Sequence, residues 1–176
     1  MPSKLPSPGS FAFLSGLNKQ AYEFATIWRL EAPVDEVWAE IKDSESWPEW
    51  WRGVLKVDKL RDGDDAGIGA VHRSTWRSAL PYSLQFDSEV IRIEEFKSIE
   101  IRAFGELEGS GLWTLTLEPD GITVVRYNWK VATNKAWMRV LSPIMKPFFR
   151  WNHDVIMAWG GEGLARKLNC KLIEII

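Results

Sequence analysis

The sequence predicts an α+β fold: a curved antiparallel β-sheet of six to seven strands gripping a long C-terminal α-helix, with two small helices after the first strand. Three observations predict it. Segments between Tyr22 and Val131 alternate apolar and polar residues, the period of a strand with one buried side. Short turns join most of them, and short turns make antiparallel neighbours. The stretch Pro147 to Leu168 instead has helical period: Met145, Phe148, Phe149, Asn152, Val155, Ile156, Trp159 and Gly163 fall on one broad face. A one-sided sheet followed by a one-sided helix buries the two together.

The elements follow in order. In the first strand Tyr22, Phe24, Thr26, Trp28 and Leu30 share a face, with Glu23 and Arg29 opposite. Pro33 and Asp35 signal a helix start, and Val34, Val37, Trp38 and Ile41 give it an apolar stripe. A second short helix is expected around Pro48 to Arg52. Val54 to Leu60 alternates and ends in the Gly- and Asp-dense RDGDDAGIG. Ala70 to Ser78 sets His72, Ser74 and Trp76 against Arg73, Thr75 and Arg77. Tyr82 to Ile93 turns Tyr82, Leu84, Phe86, Ser88 and Val90 inward. Ser98 to Gly105 and Gly111 to Glu118 come next, and Pro119-Asp120-Gly121 supplies a hairpin turn. Ile122 to Val131 places Val125, Tyr127, Trp129 and Val131 on one side. Asn134 is expected to cap a short helix that Ser142-Pro143 and Pro147 interrupt, since an interior proline deletes a hydrogen bond. Gly160-Gly161 weakens the long helix, bends it or permits close packing.

Composition narrows the function. A chain of 176 residues suits one domain with a sizeable core. Residues 1–20 read as a flexible extension, 21–168 as the domain and 169–176 as an apolar tail with no assigned place. The net charge of -2, without runs of like charge, offers no electrostatic case for nucleic acid or an anionic membrane. Phe11 to Leu14 is too short for a signal-peptide core, and no stretch reaches the ~18 apolar residues of a membrane span. One cysteine, Cys170, fits a reducing, cytoplasmic setting. Two separated histidines and that cysteine make no zinc set, and phosphate-loop, nucleophile-elbow and CxxC motifs are missing. No cofactor is expected, and no feature indicates a homo-oligomer. Eleven tryptophans are the outlier; indole fills a large interior or lines a ligand cavity.

Particular stretches carry a resemblance: WRLEAPVDEVWAEI (Trp28–Ile41), WPEWW (Trp47–Trp51) and FRWNHDVIMAWGGEGLARKL (Phe149–Leu168), with WRSALPYSLQF and LEGSGLWTLTLEPDGITVVRYNW between. In these, and in element order, the chain resembles the START-like (SRPBCC) superfamily with its helix-grip fold, and more specifically the polyketide cyclase/dehydrase-like branch. The resemblance covers roughly Tyr22 to Leu168 and is specific for fold rather than activity. It implies an apolar cavity between sheet and helix for lipids, sterols, polyketides or other hydrophobic molecules. Some members are aromatase/cyclases, and many bind or carry.

Such a cavity needs apolar walls and a few polar groups to orient its guest. Strand parity nominates Thr26, Trp28, His72, Ser74, Trp76, Tyr82, Phe86, Ser88, Tyr127 and Trp129. The helix adds Phe148, Asn152, Ile156 and Trp159. Trp47, Trp50 and Trp51 form either a gate at the cavity entrance or a helix-packing knot, and Trp51 joins the candidates. Asn152, on the apolar helix face, either bonds a strand or buried water or meets the ligand. His153 points away from Asn152, toward a surface or second-layer role beside Asp154. Arg150 and Asp154 read as a solvated i, i+4 pair. His72 is a structural histidine or a cavity base, while Tyr82 and Tyr127 are wall residues or donors to a ligand carbonyl.

The leading expectation is binding, with transport or sequestration, of a hydrophobic small molecule such as a lipid or polyketide. One alternative is an aromatase/cyclase or dehydrase using Tyr82, His72 and Asn152. Another is a protein-interaction module built on the tail and the tryptophan-rich small helices.

Overall fold

The computed structural model describes residues 21–79, 81–134 and 136–176, and for 136–145 the backbone alone. The extension 1–20 lies outside the described residues. Strand β1 (Ala21–Leu30) leads into helix α1 (Val34–Lys42), a 3-10 turn (Ser44–Ser46) and the single turn α2 (Trp47–Trp50). Six strands follow: β2 (Val54–Arg61), β3 (Val71–Arg77), β4 (Ser83–Glu94), β5 (Ser98–Gly105), β6 (Leu107–Leu117) and β7 (Thr123–Thr133). Helix α3 (Ala136–Lys167) and strand β8 (Leu172–Ile175) complete the chain.

These strands form one eight-stranded sheet in the order β2-β3-β4-β5-β6-β7-β1-β8, every neighbouring pair antiparallel. This is the helix-grip fold, with one strand more than the sequence reading allowed. The additional strand is the tail. Its apolar residues pair with β1, and Ile27 and Ile176 exchange backbone hydrogen bonds of 2.7 and 3.0 Å. An alternation of only four residues is too short to reveal a strand by period.

Inner and outer faces separate by the expected parity. In β1 the buried residues are Tyr22, Thr26, Trp28 and Leu30. Outer positions carry cross-strand ion pairs: Arg73 grips Asp87 at 2.7 Å, and Glu89 joins Arg61 and Arg102. At Gly109 a Cβ would stand 1.9 Å from the Lys130 carbonyl oxygen of the neighbouring strand.

One expectation about the last helix is corrected. The helix is continuous from Ala136 to Lys167, through both Pro143 and Pro147. Each proline forfeits about 3 kcal/mol, but that loss is local, and the turns on either side keep their own bonds. The Asn134 Nδ2 donates to the Gly105 carbonyl at 2.7 Å, tying the chain just before α3 to the sheet; the capping expected of this residue adjoins position 135, outside the described residues.

One end of the interior is a tryptophan knot. Trp28, Trp38, Trp47, Trp50, Trp51 and Trp113 share a buried core with Leu30, Val37, Ile41 and Leu164. Trp51 is fully enclosed and donates from Nε1 to the Ile156 carbonyl at 2.8 Å. Helix α3 reaches this knot through glycines. A Cβ at Gly160 would lie 2.5 Å from the Trp51 ring, and one at Gly163 would lie 1.9 Å from the Trp50 carbonyl oxygen. The glycines therefore serve close packing. Among the described residues, no helix is long and apolar enough to cross a membrane.

Candidate functional site

Beyond the tryptophan knot the sheet curls away from α3 and leaves a cavity of about 180 Å³. Its walls are aromatic because inner-face positions on β3, β4, β6 and β7 are Trp76, Phe86, Trp113, Tyr127 and Trp129. Their rings touch in sequence. Trp113 stacks on Tyr127 at 4.0 Å, Tyr127 lies 5.7 Å from Trp129, and Phe86 lies 5.7 Å from Trp129 and 6.3 Å from Trp76. Ile99, Ile101, Val131, Ile156 and Met157 fill the spaces between. Such walls favour a guest that sheds water, and flat rings add stacking.

Polar groups sit in three places. At the β3–β4 turn, Asn152 Oδ1 accepts from Ser78 Oγ at 2.8 Å and from the Ala79 backbone N–H at 2.7 Å. Asn152 thus pins that turn to α3. The Tyr82 hydroxyl is hydrogen-bonded to the Ser78 side chain, and burial above all raises its pKa over the usual tyrosine value. Beside this group His153 stacks on Phe24 at 4.1 Å, with Nδ1 3.3 Å from Asp154 Oδ1 and Nε2 buried without a hydrogen-bond partner among the described residues.

A second polar place is His72 with Ser44, Ser74 and Ser88. His72 Nε2 stands 3.6 Å from Glu45 Oε1, and Glu45 also holds Lys59 at 2.6 Å. Burial lowers the His72 pKa below the ordinary histidine value, and Glu45 opposes the shift. A neutral imidazole here can accept a proton from a cavity guest, and Glu45 is placed to balance the charge.

The third is Tyr127. Residues on all sides enclose it, yet it keeps accessible surface, which is the surface of the cavity. Burial alone raises its pKa well above the tyrosine value, so the hydroxyl stays a protonated donor. Among the described residues nothing hydrogen-bonds to it.

Of the residues nominated from sequence, Trp51, His72, Ser74, Trp76, Tyr82, Phe86, Ser88, Tyr127, Trp129, Asn152 and Ile156 lie together on the cavity wall. Four lie elsewhere. Trp28 has the expected parity but packs between Trp51 and Trp113, 5.3 and 5.6 Å away, under Gly161. Thr26, on the same strand face, is buried without reaching the cavity. Phe148 is half exposed, and Trp159 is half-buried against the tryptophan core under the Arg52 guanidinium, 4.6 Å from its ring, away from the cavity. The helix face is centred one residue later than the broad apolar stripe implies. Phe149, Asn152, His153, Ile156 and Met157 point inward, a set spaced i, i+3, i+4, i+7, i+8.

That shift of phase corrects the reading of His153. It lines the cavity with only 12% of its side-chain surface exposed, because the curled edge carrying Phe24 wraps further around the helix than a flat sheet would. Asp154 turns to His153, and Arg150 lies 6.0 Å over the Phe24 ring. Trp47 and Trp51 belong to the packing knot and also border the cavity, whereas Trp50 belongs to the knot alone. Tyr22, Phe24, Trp113 and Phe149 also line it. Strand parity held the signal for the first three.

Both histidines give the fold a pH dependence. Burial is the leading cause that depresses each pKa in the folded state. Below the unfolded value of about 6.5 the unfolded chain binds more protons than the folded one. Stability is therefore complete above that pH and declines as pH falls through the depressed folded values. Urea unfolding at pH 7.5, 6.5 and 5.5 is expected to show this fall, with a shallower slope in His72→Gln and in His153→Gln. A pH-independent midpoint contradicts it.

Fold and cavity together define a class: a sheet-and-helix grip around an aromatic-walled interior. The family model described as polyketide cyclase / dehydrase and lipid transport matches residues 25–173. The chain belongs to that family. Solved structures share the fold at low identity. The START superfamily protein from Mycobacterium smegmatis is 12% identical with a TM-score of 0.69, covering 84% of this chain and 97% of its own. The Zhui aromatase/cyclase from Streptomyces sp. R1128 is 18% identical with a TM-score of 0.63, covering 84% and 96%. The di-domain ARO/CYC BexL from the BE-7585A biosynthetic pathway is 18% identical with a TM-score of 0.68 over 86% of this chain. The present chain spans about half of BexL, 51% of its length. No curated protein sequence matches significantly. Among the described residues, no group of three or more His, Cys, Asp or Glu is placed to hold a metal ion.

Proposed function

We propose that this protein binds a hydrophobic small molecule, such as a lipid chain or an aromatic polyketide, in the cavity between sheet and α3. The observation that carries the reading is the wall itself. Trp76, Phe86, Trp113, Tyr127 and Trp129 surround space they do not fill, although close packing would reward filling it. An apolar void of about 150 Å³ is large enough to take up benzene, and this one is about 180 Å³. The isolated polar groups at His72, Tyr127 and Asn152 supply orientation rather than bulk affinity. Membership of a family whose description includes lipid transport supports the same reading.

Tryptophan emission follows binding of ethylbenzene, a probe of about the cavity's size. Wild-type protein is expected to give a saturable change with one site. Ser74→Phe places a ring in the cavity opposite Phe86. It is expected to weaken ethylbenzene at least about ten-fold, the cost of losing most of one ring's burial, while leaving Tm unchanged or higher. Equal binding by both proteins contradicts a site in this cavity.

A further inference from the structure

Tyr127 is costly where it stands. Its hydroxyl lies over Gly111: a Cβ there would be 2.6 Å from the hydroxyl oxygen, 2.9 Å from the Trp129 ring and 3.0 Å from Ile101. Residue 111 is thus held to glycine by the space this hydroxyl occupies. The same small space at Gly111 is bordered by the Trp129 ring and Ile101, and the Tyr127 ring stacks on Trp113. A buried donor left unpaired is unfavourable, and phenylalanine would fill the same wall without that penalty.

We infer that the Tyr127 hydroxyl selects the guest, donating a hydrogen bond to a carbonyl, ether or hydroxyl oxygen borne on a flat ring that lies among Trp113, Tyr127 and Trp129. This rests on the binding reading above and adds to it the chemical class of ligand. The ring is held by stacking, since Trp113 and Tyr127 already lie parallel within 19°. The oxygen is held by the Tyr127 hydroxyl, which has no hydrogen-bond partner among the described residues and, unlike the buried Trp76 indole N–H that is also unpaired, stands beside the stacked pair of Trp113 and Tyr127. Size limits the group in this part of the cavity to a single ring with a short substituent, given about 180 Å³ in all. A longer molecule would have to carry its remaining length toward the Asn152 or His72 end.

Acetophenone and ethylbenzene test this as a pair, because they share shape and differ in the acceptor oxygen. Their affinities for wild-type protein and for Tyr127→Phe are measured by calorimetry or tryptophan quenching. In the wild type acetophenone is expected to bind about ten-fold more tightly, the worth of one buried hydrogen bond. In Tyr127→Phe the preference is expected to vanish, with ethylbenzene held as well as before and Tm equal or higher. Gly111→Ala, which pushes the hydroxyl aside, is expected to reduce the preference in the same direction. If ethylbenzene binds but the wild type shows no preference, or Tyr127→Phe keeps it, the role of Tyr127 is overturned and the cavity reading stands. If neither probe binds, both fall.

Discussion

Gly163→Ala is expected to destabilise the protein by about 3 kcal/mol, the upper range for forcing an extra carbon into a packed site. In a domain of this size that lowers Tm by roughly 6–12 °C. The sign is what makes the result informative. Helix propensity alone favours alanine over glycine by about 1 kcal/mol in a helix interior. Here the added Cβ would stand 1.9 Å from the Trp50 carbonyl oxygen, and main chain cannot swing aside as a side chain can. Helix α3 would have to lift off α2. Gly160→Ala meets the Trp51 ring at 2.5 Å, and that ring is fully buried and tied to the Ile156 carbonyl, so it too is expected to destabilise. Thermal or urea unfolding of both variants checks this. A stabilised Gly163→Ala protein would mean that α3 does not approach α2 as described.

Asn152→Ala is the second large effect, at about 2–3 kcal/mol. The carboxamide oxygen is the acceptor for the buried Ser78 hydroxyl and the Ala79 N–H. Deleting the acceptor takes from the Ala79 N–H its partner and from the Ser78 hydroxyl one of its bonds, the other being to Tyr82, at about 1–3 kcal/mol for a donor that cannot turn to water. The loss is specific in place: amide exchange at Ala79 is expected to accelerate, while exchange in β6 and β7 changes only with global stability. Asn152→Asp keeps an acceptor oxygen and is expected to retain part of the Ala79 protection. Unchanged exchange at Ala79 in Asn152→Ala would refute the pinning role.

What the sequence revealed follows from which signals are local. Strand parity is local, and it placed His72, Ser74, Trp76, Phe86, Tyr127 and Trp129 on one wall because a period of two leaves only two choices of face. Helix phase is not local in the same way. The stripe containing Phe148 and Trp159 is apolar, yet the buried side runs through Phe149, His153 and Met157, and only the depth to which α3 sinks into the curled sheet decides between them. For that reason the apolar stripe alone puts His153 on the wrong side of the helix. Trp28 shows a further limit, since parity assigns a face but not whether that stretch of face is cavity or solid core. The prolines at 143 and 147 predicted breaks that the continuous helix absorbs. The tail found its place only once β1 was seen to have a free edge.

The proposed site for a hydrophobic guest is the space between sheet and helix. It is tested most directly by the indole N–H resonances of the eleven tryptophans, followed by two-dimensional NMR during a titration with ethylbenzene. Trp76, Trp113 and Trp129 line the cavity, whereas Trp38 packs against Phe96 and Trp151 is exposed on the outside of α3. The first three are expected to shift together along one saturating curve while Trp38 and Trp151 stay in place. Shifts confined to Trp151, or none at saturating probe, would contradict it.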